Sequence, residues 1–80
     1  MLSLLRSAKK KTTVQGILFD RRYFDENKAD FWLESHNWSP IKIHITGSWL
    51  MYRIKHSRLF DHYLTTQYSK GVLFRIGYYK

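Results

Sequence analysis

One amphipathic helix followed by a run of short strands predicts an α+β domain of two layers, with the helix packed on one face of a small, mainly antiparallel sheet. Three observations carry this. Ala29, Trp32, Leu33 and His36 recur at i, i+3, i+4 and i+7, the spacing of one helical face. Ile41-Lys42-Ile43-His44-Ile45-Thr46 alternates strictly, the period of a strand with one buried side. Thr46-Gly47-Ser48 and Ser69-Lys70-Gly71 are turn sequences set between β-rich runs, so each predicts a hairpin. Eighty residues allow one domain, and three Trp, six Tyr and five Phe supply the apolar area that so small a chain needs.

Taken in order, residues 1–13 are expected to form a flexible basic arm and residues 14–80 the folded domain. Val14 to Phe19 is the first β-rich run. Asp25 suits a helix N-cap, with Glu26 in the first turn, where the helix dipole favours an anion. The helix should end near Asn37, ahead of Pro40, with His36 meeting its last carbonyls. In the first hairpin Trp49 to His56 returns against residues 41–46. Residues 57–62 look irregular. Tyr63 to Tyr68 and Val72 to Tyr78 form the C-terminal hairpin, giving the order strand, helix, strand, strand, then two more strands. The expected core is Trp32, Leu33, Ile41, Ile43, Ile45, Leu50, Ile54, Phe74 and Ile76.

Charge is segregated along the chain. Residues 1–19 carry +4, residues 20–34 carry −2 and residues 35–80 carry +6, which gives the net +8. A basic surface of this kind concentrates polyanions, so phosphate-bearing partners are favoured. The absence of cysteine removes disulfides and thiolate zinc sites from consideration. Met1 to Ser7 has too short an apolar run for a signal peptide, and no window reaches the roughly 18 apolar residues of a membrane span. The expected setting is therefore intracellular rather than secreted.

If the three isoleucines of residues 41–46 point toward the helix, Lys42 and His44 point away from it. The same alternation sends Trp49, Met51, Arg53 and Lys55 to that face, and Arg75 and Tyr79 from the last strand. Cations mixed with rings suit single-stranded nucleic acid, where Lys and Arg meet phosphate and flat rings stack on unpaired bases. The arm residues Lys9, Lys10 and Lys11 would add contacts to phosphate. The same composition also suits a protein interface. A solvated cationic face with a few exposed rings is the plainest reading.

Nothing in the chain predicts catalysis. His36, His44, His56 and His62 are scattered without metal-ligand spacing, and no metal or cofactor is expected. Asp61-His62, with Ser57 or Thr65 nearby, lacks the context of an activated nucleophile. Glu26, Asp30 and Glu34, at i, i+4 and i+8, give the helix a wet outer side rather than a carboxylate pair.

The segment Lys28-Ala29-Asp30-Phe31-Trp32-Leu33-Glu34-Ser35-His36, followed by Pro40-Ile41-Lys42-Ile43-His44-Ile45-Thr46, resembles a group of short, uncharacterised proteins of nucleocytoplasmic large DNA viruses. These pair a helix of pattern KA..WL..H with a strand of pattern PIK.H.T. Tyr52-Arg53, Phe60, Thr65-Thr66, Gly71-Val72 and Ile76-Gly77 extend the resemblance over about residues 14–78. Residues 53–60 depart from it, having less arginine and no proline. The resemblance implies an α+β fold and a viral origin, which would place the chain in an infected host cell or a virion and make the protein-interface reading a virion structural or host-interaction module; it assigns no activity.

Overall fold

The computed structural model describes residues 11–80. Lys9 and Lys10, and with them nearly all of the expected arm, lie outside the described residues. The remainder is a small α+β domain, mostly sheet, in which one helix covers part of a five-stranded antiparallel sheet. The elements are β1 (Thr12–Asp20), α1 (Glu26–Ser35), β2 (Lys42–Ile45), β3 (Trp49–Arg53), a short 3-10 turn (Ser57–Leu59), β4 (Phe60–Ser69) and β5 (Val72–Tyr79). Across the sheet the order is β2-β3-β1-β5-β4, with every neighbouring pair antiparallel.

The boundaries depart from the sequence reading at several points. β1 begins at Thr12, inside the expected arm, because Thr12 and Thr13 pair with Tyr78 and Gly77 of β5. β3 stops at Arg53, not His56, because the N–H groups of Ile54 and Lys55 both turn onto the Gln15 carbonyl, where β1 carries a bulge. β4 begins at Phe60, so only residues 57–59 of the expected irregular stretch are outside the sheet.

Local chemistry explains the helix ends. The Asp25 carboxylate accepts the Lys28 N–H at 2.8 Å, satisfying one of the donors that a helix start leaves open. At the other end Asn37 takes φ 62°, the left-handed conformation that Asn tolerates better than most residues. Its N–H donates to Glu34 O, and the Trp38 N–H donates back to Leu33 O, so two orphan carbonyls are closed in one turn. His36 lies flat on Trp32, with ring centroids 3.9 Å apart, and its Nδ1 is 2.8 Å from the Trp32 carbonyl.

The core lies between α1 and the middle of the sheet. Ile17, Phe19, Ala29, Leu33, Leu50, Tyr52 and Val72 are buried together, and Phe19 meets the rings of Phe24, Trp32 and Tyr52. Trp32, Ile54 and Phe74 pack against this cluster while remaining half-buried. The three isoleucines expected inside are not: Ile41, Ile43 and Ile45 are 52%, 36% and 45% exposed. β2 is an edge strand, and a helix about 10 Å wide cannot blanket five strands spaced about 4.8 Å apart. Alternation reports which residues share a side of β2, but cover depends on where β2 sits in the sheet.

Candidate functional site

Leu50 and Tyr52 face the helix, so Trp49, Met51 and Arg53 project from the opposite face of the sheet. The pairing register aligns the cations there. Lys42 is the partner of Arg53, Arg53 of Gly16, Gly16 of Arg75, and Arg75 of Thr65, one row crossing all five strands. Arg53 and Arg75 are separated by only the glycine strand between them, about 10 Å from strand spacing. A parallel row runs from His44 through Met51 and Leu18 to Leu73.

This face carries an open groove of about 410 Å³ with Gly16 in its lining. A Cβ at residue 16 would stand 3.2 Å from the Tyr52 carbonyl oxygen and 3.8 Å from the Arg75 Cβ, so glycine keeps the strand between the two arginines free of a side chain. Gly16 and Leu18 belong to its lining, with Lys42, His44, Met51 and Arg53 from β2 and β3, and Tyr63 and Arg75 from β4 and β5. Ser57, in the connection that carries the chain from β3 to β4, closes the end beside Tyr63.

That connection is held by polar contacts. Gln15, the bulge residue, is buried and satisfied: its Nε2 donates to Lys55 O at 2.9 Å, and its carbonyl accepts from Ile54 and Lys55. The Tyr63 hydroxyl donates to Ser57 O at 2.7 Å. The Arg75 guanidinium lies over the Tyr63 ring, 4.8 Å from its centroid, which fixes a long side chain without neutralising it. Arg75 is half-buried and Lys42 and His44 are exposed, so the cations meet solvent from a braced surface.

Lys42, His44, Arg53 and Arg75 therefore line one groove. The other sequence-predicted residues stand elsewhere. Trp49 is paired with Asp20 at the start of β3, two residues before Met51, and is outside the groove. Lys55 lies beyond the end of β3, where strand alternation no longer places it. Tyr79 shares the face with Arg75, but its ring packs 4.8 Å from Phe60. Phe60 itself is buried on Gly77, whose missing side chain makes room for the ring: a Cβ there would fall 2.6 Å from it. Lys11 precedes β1, with its carbonyl accepting the Tyr79 N–H, so it sits at the far end of this face.

Gly16, Tyr63 and Ser57 were not legible as site residues. Tyr63 shares its side of β4 with Thr65, the register partner of Arg75, but that needs the pairing of β4 with β5 to be known. Beside the groove, Asp20 is gripped by both the side chain and the N–H of Arg22, which hold its carboxyl below the usual carboxylate range. The Asp20 charge is thereby neutralised next to Trp49. Among the described residues no group of three His, Asp or Glu is placed to hold a metal ion, and no helix is long and apolar enough to cross a membrane. Comparisons with protein-family models, with curated proteins and with solved structures returned no match.

Proposed function

We propose that this chain is a small, non-enzymatic domain of viral origin that binds nucleic acid, in the infected cell or the virus particle, through the groove on its uncovered sheet face. The observation that carries this reading is the row Lys42, Arg53, Gly16 and Arg75, three cations on adjacent or alternate strands facing one concave surface. Cations in such a row neutralise successive phosphates and release counterions on binding. The rings and apolar surface between them, from His44, Met51 and Tyr63, offer stacking to unpaired bases, which favours a single strand. The basic residues Lys9, Lys10 and Lys11 add contacts to phosphate without base readout. The resemblance to viral proteins supports the origin and leaves the activity to the site.

A mobility-shift measurement with single- and double-stranded DNA and RNA at low and moderate salt tests this. Binding to single strands that falls steeply with salt is expected. If no nucleic acid is bound at low salt, or if a folded Lys42, Arg53 and Arg75 triple-alanine variant binds as the parent does, the reading fails. The face is then better explained as a protein-binding surface, whose affinity depends weakly on ionic strength.

A further inference from the structure

Among the described residues, β2 leaves one edge of the sheet open. Edge strands are usually blunted by charge, proline or bulges, but the helix-side positions of β2 are Ile43 and Ile45, 36% and 45% exposed. The bond from the Thr46 N–H to the Trp49 carbonyl, at 2.9 Å, sets the phase of the β2–β3 ladder. Lys42 and His44 direct their backbone groups toward β3, and Ile43 and Ile45 direct theirs away from the sheet. The exposed apolar side chains and the outward ladder positions thus fall on the same two residues.

We propose that β2 pairs antiparallel with β2 of a second copy of this chain, about a two-fold axis passing through His44. The pattern is self-complementary about that residue. Rotation places Ile43 opposite Ile45 of the second copy and Ile45 opposite its Ile43, so all four outward backbone groups of each strand enter ladder bonds. A register centred on Ile43 sends Ile45 to Ile41, whose N–H is already bonded to Arg53 O, and one centred on Ile45 sends Ile43 to Gly47. Only the His44 register both matches isoleucine with isoleucine at each outward position and uses no N–H already bonded within its own chain. Each copy's exposed isoleucines are then covered by the other's, beside the gap between β2 and the start of α1, which Ile45 and Leu50 line with Phe24.

On the opposite face Lys42 meets Thr46 of the second copy, so lysines do not oppose one another. The two sheets join into one of ten strands, and the two sets of Lys42, Arg53 and Arg75 lie along one continuous surface. This last consequence rests on the nucleic-acid reading, whereas the pairing does not. An interface built on four residues per strand belongs to the weak class, below about 1,200 Å² of buried surface, so association is expected to depend on concentration.

Sedimentation velocity on the full chain without nucleic acid, from about 5 to about 500 μM, spans that weak class. A twofold rise in mass is expected, with no larger species. I43K and I45K are each expected to remain monomeric throughout and to stay folded, melting close to the parent at low micromolar protein where the parent is also monomeric, because both side chains are exposed in the monomer. The chain has no cysteine, so H44C provides a clean cross-linking test. Residues opposed outside the ladder bonds stand about 4.5 Å apart at Cα, within disulfide reach. H44C oxidised at high protein concentration should form a covalent dimer that persists on dilution, well ahead of K42C, which faces Thr46. A parent that stays monomeric at every concentration overturns the proposal. So does an H44C that links no faster than K42C, or mass that grows beyond two copies, the sign of β2 joining β4 head to tail. I43K keeps Lys42, Arg53 and Arg75, so loss of pairing and loss of nucleic-acid binding are read separately.

Discussion

The guanidinium of Arg75 lies over the Tyr63 ring, 4.8 Å from its centroid, and the hydroxyl of that ring donates to the Ser57 carbonyl at 2.7 Å. The connection between β3 and β4 thus sets the ring, and the ring sets the cation. Tyr63→Leu should weaken single-strand binding by about 1–3 kcal/mol while leaving the salt dependence nearly unchanged, because stacking releases no counterions. Tyr63→Phe keeps the ring and loses only the bond to Ser57, so its effect should be smaller. Fluorescence titrations at three salt concentrations separate these outcomes. Equal losses in both variants would assign the effect to the hydroxyl.

Lys42, Arg53 and Arg75 should behave differently from Tyr63. Replacing any one with Ala is expected to lower affinity and to reduce the slope of log K against log salt by about one unit. Trp49→Ala should change little, since Trp49 stands beside the Asp20–Arg22 pair and outside the groove. A loss at Trp49 as large as that at Tyr63 would move the base-stacking surface to the other end of β3.

Stability should divide between core and edge. Leu33 is buried between α1 and the sheet, so Leu33→Ala is expected to cost about 2–5 kcal/mol. Ile43 is 36% exposed on an open edge, and under monomeric conditions Ile43→Ala should cost less than about 1.5 kcal/mol. Urea titrations at low micromolar protein measure both. Similar costs would mean that β2 is covered by the helix after all.

The sequence made the inward and outward sides of each strand readable, and this was enough to bring Lys42, Arg53 and Arg75 to one face. Asp25 as a cap, and His36 against the last helical carbonyls, were readable because capping is local chemistry within a few residues. Strand order was not. Placing β1 between β3 and β5 puts Gly16 between Arg53 and Arg75, and puts β2 at an edge. Both are long-range consequences, invisible to periodicity. That is why the groove's floor and the exposure of Ile41, Ile43 and Ile45 emerged only from the fold. Trp49 and Lys55 stand outside the groove for a related reason: alternation fixes a side chain's direction but not its position along the strand, and it ends where the Gln15 bulge ends β3.

The pH dependence of stability should have two limbs, each traceable to one residue. Hydrogen bonds from the Arg22 side chain and backbone hold the Asp20 carboxyl below its ordinary value, so the folded state favours the ionised form. Its contribution is complete above about pH 4, the unfolded value, and is lost as pH falls through the lower folded value. Burial, reinforced by the bond its hydroxyl donates to Asp30 at 2.9 Å, raises the Tyr52 phenol well above its ordinary value. The folded state therefore favours the neutral phenol. That contribution is complete below about pH 10 and declines as pH rises past it, since the unfolded chain releases the proton first. Denaturant stability measured from about pH 3 to about pH 11 should show a plateau between falling limbs. Arg22→Ala should flatten the acid limb alone. Tyr52→Phe should flatten the alkaline limb while lowering the plateau by about 0.5–1.5 kcal/mol for the lost bond to Asp30. An alkaline limb as steep in Tyr52→Phe as in the parent would place the ionisation responsible at another residue.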